Sequence, residues 1–279
     1  MYLSIKKKDS VTSILLFIFN VFLVERGITA IPLKKIFRIL EPFQKNETAI
    51  RMGLSRGVQN GLLVSEKQRN EVYYLITEEA IKGVKYWQET LADFKSRVAL
   101  QLSDWDEEWS IFFLDSMGDK KSLGDFVDSL RLFGYGGLGS NLWVSPYHLS
   151  DKTEELARKH RVQKYYQFRG KLEDNTKMED IANKVWPIRD LSEKYSVFIK
   201  TMNEAFGTLD INSYNGGGGL PFLHIHGLDF FEIIQDDPQL PLKLLPQDWP
   251  GLRAAKSFLD IRESILPKAA NYIMEQISE

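Results

Sequence analysis

The chain has 279 residues, 43% of them hydrophobic and 12% aromatic, with a formal net charge of −2; this length suits two or three domains, and the composition excludes disorder as the default state. The absence of cysteine excludes disulfides, thiolate metal ligands and a cysteine nucleophile, and fits a reducing cytoplasm. The near-neutral total conceals a division, because residues 1–75 carry 12 Lys+Arg against 6 Asp+Glu and leave 24 against 32 for the remainder; an anionic polymer would therefore meet the N-terminal part.

Lys6-Lys7-Lys8 before the apolar run from Val11 to Val24 opens like a signal peptide. However, Asn20 interrupts the run, Glu25-Arg26 follow at once, and Ile28-Thr29-Ala30 makes a poor cleavage site. The run is also short for a membrane span. It reads better as a buried helix from Ser10 to Val24, ended by Gly27. Pro32 opens a second helix to about Leu40, with Leu33, Ile36, Phe37 and Leu40 inward and Lys34, Lys35 and Arg38 outward. A third helix starts at Glu47, capped by the side-chain oxygen of Asn46. Ile50, Leu54 and Val58 form its apolar face, Thr48, Arg51, Met52, Ser55 and Arg56 lie opposite, and Asn60-Gly61 ends it.

Two strand-like runs, Leu62 to Val64 and Val72 to Ile76, enclose a polar tip from Ser65 to Asn70. Three helices followed by a basic hairpin make a winged helix-turn-helix. In such a domain the first turns of the last helix reach base edges, so Asn46, Thr48, Met52 and Ser55 are candidate contacts, and Arg51 or Arg56 offers two parallel donors to a guanine. Lys45, Lys67 and Arg69 suit phosphates, which hold register without reading sequence. The competing reading is a helix and hairpin of an ordinary core with both arginines merely solvated.

Thr77 caps a long helix to about Leu100. Its apolar residues Ala80, Val84, Trp87, Leu91, Phe94 and Val98 alternate in steps of four and three, either a dimer seam or the inner face of a connecting helix. The middle region alternates: strand Trp109 to Leu114, helix Lys120 to Phe133, short strand Tyr135 to Leu138 in the Gly134–Gly139 turn, and strand Leu142 to Ser145. A helix from Thr153 to His160, capped by Ser150 or Asp151, and a strand from Val162 to Phe168 complete it. That order, βαββαβ, is ferredoxin-like. From Thr176 the chain turns helical, through Met178 to Phe206 with a break at Pro187, a four-glycine loop at Gly216 to Gly219, a helix from Leu220 to Gln235, and one or two closing helices from Leu252 to Ile277. The expected class is α+β multidomain: a winged helix-turn-helix at 1–76, a connecting helix at 77–104, a ferredoxin-like domain at 105–174 and a helical C-terminal domain at 175–279.

Two further groups bear chemistry. His224 and His226 have a spacing that metal sites use, but on a helix they point about 200° apart and read as structural. The basic run Arg158 to Arg161, with Lys164, Tyr165 and Tyr166, would suit the phosphates and adenine of a coenzyme A, or simply end a solvated helix. Trp143, beside the glycine-rich turn, is a further pocket candidate. No catalytic residue, metal ligand or cofactor is assigned.

Several segments together resemble the PaaX-like family, the phenylacetate-degradation repressors. Asn46 to Ile76 fits that family's winged domain. Trp109-Ser-Ile-Phe-Phe-Leu-Asp115 and Phe133 to Pro146 resemble its central domain, and Trp186 with Leu191, Tyr195 and Phe198 resembles the start of its C-terminal domain. Asp237-Pro-Gln-Leu-Pro241 with Leu244 to Gly251 is the most specific match. The resemblance covers nearly the whole chain. It implies a dimeric repressor of operator DNA, released by an acyl-CoA thioester, phenylacetyl-CoA in the type case. It also implies a central domain similar in fold to the small CRISPR-associated adaptation nuclease. That similarity makes a metal-dependent nuclease the alternative function, with Asp115 at a strand end where that fold keeps a metal-binding aspartate and Asp104, Asp106 and Asp119 near it in sequence. A strand-end aspartate that holds a turn is the simpler reading, and an adaptor without DNA contact is a third. Gly53 and Gly57 depart from the compact apolar residues usual in that helix, which implies a different operator.

Overall fold

The computed structural model describes residues 7–115, 120–171 and 177–278, without the side chains of 120–123; Lys6, Asp119 and Thr176 lie outside them. The chain divides into two compact units, one formed by Met1–Ala92, Val197–Glu232 and Arg253–Glu279, the other by Asp93–Ser196 and Ile233–Leu252.

In the first unit α1 spans Val11–Ile18, its first turn capped by Ser10, whose Oγ accepts from the Ser13 N–H at 3.2 Å. The helix widens to a π turn at Phe19–Leu23, tightens to a 3-10 turn at Val24–Arg26 and stops at Gly27 with φ 72°. Ile14, Leu15, Ile18, Phe22 and Leu23 are almost fully buried, so the apolar run is core. Strand β1, Ala30–Pro32, is too short to carry a periodic signal and has no counterpart in the sequence reading. Helix α2, Leu33–Ile39, buries Ile36, Ile39 and the following Leu40.

Helix α3 spans Glu47–Gln59, and Asn46 caps it by accepting from the Ala49 N–H at 2.8 Å. Only Gly61, at φ 69°, takes the left-handed conformation after it; Asn60 stays at φ −85°. Strands β2, Leu63–Gln68, and β3, Glu71–Ile76, pair antiparallel, and β1 joins β3 on its other edge. The hairpin tip is thus Arg69-Asn70, narrower than the expected Ser65 to Asn70. The outer end of the ladder is exposed, so its strand residues need no apolar alternation to mark them.

Helix α4, Glu78–Gln101, starts at Thr77, whose Oγ1 accepts from the Ala80 N–H at 3.2 Å. Ala80, Val84 and Trp87 are buried, and the Tyr86 and Trp87 rings meet Phe231 edge-on at 6.4 and 6.0 Å. This part of the seam is therefore occupied by the chain's own core.

The second unit holds β4 (Glu108–Leu114), α5 (Lys120–Leu132), β5 (Gly136–Gly137), β6 (Leu142–Ser145), α6 (Ser150–Lys159) and β7 (Tyr165–Lys171). The sheet order is β5-β6-β4-β7, with every described neighbour antiparallel. Phe112, Leu114 and Trp143 of the sheet pack with Phe126 and Leu130 of α5 and Leu156 and Ala157 of α6. Strand β7 begins and ends three residues later than expected. Val162 donates to Ala157 O and closes α6, while the charged end of β7 is held by Arg169 bonding Asp106 and Glu108.

Helix α7, Met178–Val185, and α8, Ile188–Gly207, are separated at Trp186-Pro187, because proline lacks the N–H a continuing helix needs. In the four-glycine run a Cβ on Gly217 would stand 2.9 Å from Pro42 and Tyr272, and one on Gly219 2.1 Å from Ile265, so these glycines admit close packing. Helix α9 is Leu220–Asp236, and α10, Gly251–Ser278, continues through Pro267 as one helix. After α9 the buried Asp237 accepts from Tyr195 Oη–H at 2.6 Å and from the Gln239 N–H at 2.7 Å. Burial raises its carboxyl above the usual range against those bonds. Residues of α8 and of α9 are divided between the two units.

Candidate nucleic-acid interface

Helix α3 is seated by small residues. Ile50 and Leu54 are buried, and so are Gly53 and Gly57. A Cβ on Gly53 would lie 2.4 Å from Val11 Cβ, and one on Gly57 2.8 Å from Leu63 Cδ1. Thr12 Oγ1 donates to Gly53 O at 3.0 Å across the same contact. Val58, expected on the inner face, is exposed instead. The reason is geometric: close approach of α1 and β2 to the two glycines turns the buried stripe toward Gly53 and Gly57.

Asn46, Thr48, Arg51, Met52, Ser55 and Arg56 are all exposed on α3 or its cap, as are Lys67 and Arg69 on the hairpin. The Asn46 side-chain oxygen is committed to the cap. Lys45 departs from expectation: it is half-buried, and its Nζ pairs with Asp9 at 2.5 Å, so it is not a free cation. Arg51 is held on two sides. Its Nε and Nη2 donate to Glu47 Oε1 at 2.9 and 2.5 Å, and its guanidinium lies 5.3 Å from the centroid of the Phe37 ring. The Glu47–Arg51 pair was legible as an acid four residues before a base on one helix; the part of Phe37, from another helix, was not.

Behind α1 lies a polar anchor on α9. Lys8 Nζ bonds Asp229 at 2.6 Å and Glu232 at 2.7 Å. The buried Ser13 hydroxyl meets His224 Nε2 at 3.0 Å, beside the rings of Phe17 and Phe43. Burial pushes the His224 pKa down to about 4 from 6.5, so the folded protein keeps this imidazole neutral. Above the unfolded value neither state is protonated and the residue has no pH effect. As pH falls below it the unfolded state takes up a proton that the fold refuses. Stability is therefore expected to drop by about 2 kcal/mol between roughly pH 8 and roughly pH 5, relative to a His224→Asn variant. Urea midpoints at both pH values test this, and equal slopes for the two proteins would refute it. His226 faces Phe222 and Phe198, so the two histidines do not converge.

The proposed effector residues are not gathered at one surface. Trp143 is buried, with the Arg131 guanidinium 5.5 Å from its ring centroid. Tyr165 stacks on Phe112 at 5.1 Å within the core. Lys164, one residue earlier than Tyr165, follows the opposite side of the pleat. Arg158 and Arg161 are exposed around the end of α6. Asp115 is exposed at its strand end, and Asp106 is tied to the Glu108 N–H and to Arg169, which hold its carboxyl below the usual range. Among the described residues no group of three His, Asp or Glu is arranged to hold a metal ion, and no helix is long and apolar enough to cross a membrane.

Three family models match successive parts of the chain: PaaX-like protein at residues 11–80, PaaX protein central Cas2-like domain at 102–182, and PaaX-like protein C-terminal domain at 186–275. The transcriptional repressor PaaX of Escherichia coli (strain K12) is 23% identical over 246 residues, 85% of this chain and 75% of that one. Among solved structures, the uncharacterized protein Rv0674 from Mycobacterium tuberculosis superposes with a TM-score of 0.59 at 18% identity, covering 95% of this chain and 99% of that one, a likeness of fold. With the three models together running from the first buried helix to the last, this chain belongs to the PaaX-like family.

Proposed function

We propose that the protein is a cytoplasmic, dimeric, DNA-binding transcriptional repressor, released from its operator by an acyl-CoA effector. The observation that carries DNA binding is the outer face of α3, where Arg51, Ser55 and Arg56 stand exposed, followed by a hairpin that exposes Lys67 and Arg69, in a chain similar to a named transcriptional repressor. On this reading α1, α2, α3 and the β2–β3 hairpin form a winged helix-turn-helix whose α3 enters the major groove, and the four-stranded unit is a ferredoxin-like domain. The acyl-CoA part rests on the family resemblance.

The dimer reading draws support from the sheet surface opposite α5 and α6. Residues paired across antiparallel strands share a face. Phe113 and its partner Tyr166 therefore lie together, with Phe168 two residues on, and they are 36%, 53% and 57% exposed. Asp115 and Lys164 continue that face at its end, so a two-fold mate would set each acid toward the other copy's base. Phe168→Glu is expected to convert a dimer to a monomer by light scattering, and an unchanged mass would remove this face as the interface.

Binding to a duplex from the chain's own upstream region, at two salt concentrations and with a panel of acyl-CoA thioesters, tests the whole reading. Tight, steeply salt-dependent binding that one thioester weakens is the expected result. Affinity no better than for a random duplex would sink it.

A further inference from the structure

We infer that Glu47 and Phe37 are positioning residues for base recognition, fixing Arg51 so that one edge of its guanidinium faces the DNA; this rests on the DNA-binding reading of α3. A guanidinium carries five N–H donors in a rigid plane. Glu47 Oε1 takes the Nε–H and one Nη2–H, which is the side edge of the fork. The two parallel donors of the end edge, one on Nη1 and one on Nη2, stay uncommitted, and they match the O6 and N7 acceptors of guanine. The Phe37 ring, 5.3 Å from the guanidinium carbon, restricts the plane from a second helix.

The side chain of Arg51 is 55% exposed. A free arginine there would lose rotamer freedom on binding, whereas a held one meets the groove in its reading geometry. Glu47 also complements the helix dipole, but that role acts on stability alone and is blind to base sequence.

The test is a fluorescence titration of the full chain on its operator and on duplexes changed at each single base pair. Wild type is compared with Glu47→Gln, Phe37→Leu and Arg51→Ala. Arg51→Ala should abolish discrimination at one base pair. Glu47→Gln and Phe37→Leu should reduce discrimination at that same pair about tenfold, with affinity for a random duplex unchanged or, for Glu47→Gln, raised by loss of a negative charge. Full discrimination in both variants, with Arg51→Ala abolishing it, overturns the positioning role while leaving DNA binding intact. Failure of the wild type to prefer any duplex overturns the DNA reading and the positioning role with it.

Discussion

The Arg51→Ala, Arg56→Ala double variant is expected to bind the operator at least about 30-fold more weakly than the wild type, since each bidentate arginine contact discriminates by about 1–3 kcal/mol. Both side chains are exposed on the same helix, so their removal leaves the core of the domain untouched. The single variants separate their roles. A base reader relaxes specificity at one position, whereas a phosphate contact weakens all duplexes alike and lowers the salt slope by about one. Lys67→Ala and Arg69→Ala should behave in the second way. If the double variant bound the operator as tightly as the wild type at two salt concentrations, α3 would not be the reading helix, and an adaptor role for the N-terminal region would become the better account.

Gly53→Val is expected to destabilise the protein by about 3 kcal/mol, at the upper end for an overpacked core. The contact is unforgiving because the new Cβ would stand 2.4 Å from Val11 Cβ on a neighbouring helix, with a second clash at 2.8 Å. Gly53→Ala is the sharper experiment. Alanine gains about 1 kcal/mol of helix propensity over glycine, so a net loss requires that the clash exceed it. Gly227 supplies the control: it also lies inside a helix, α9, and a Cβ there would meet nothing within 4 Å, so Gly227→Ala should stabilise by about 1 kcal/mol. Denaturant midpoints for the three variants decide the matter. A stabilising Gly53→Ala would mean that α1 and α3 part without cost. The same contact seats the recognition face, so a folded Gly53→Ala should also lose operator affinity through displacement of α3.

These glycines show where one-dimensional reading stops. From the sequence, Gly53 and Gly57 are only weak spots in a helix, and they suggested an altered operator; in the fold they are what lets Val11 and Leu63 touch the α3 backbone. The limits of α3 were legible, because Asn46 and Gly61 act on the backbone within one turn of themselves. So were the stop at Pro187, the cap at Thr77 and the order of strands and helices in the middle of the chain. All of these depend on local conformational preference, on hydrophobic period, or on both.

What escaped depends on partners distant in sequence. The three-residue β1 exists because β3 offers it an edge, Trp87 of the α4 seam packs on Phe231, and Lys45 is claimed by Asp9. Of the two separate pocket candidates in the sequence, the basic run around Arg158 lies exposed, whereas the ring of Trp143 is buried. The amino-acid sequence by itself determined most of the elements, the basic N-terminal end and the family. Only the tertiary structure decided which side chains remain free to act, because burial and ion pairing join residues that no local pattern connects.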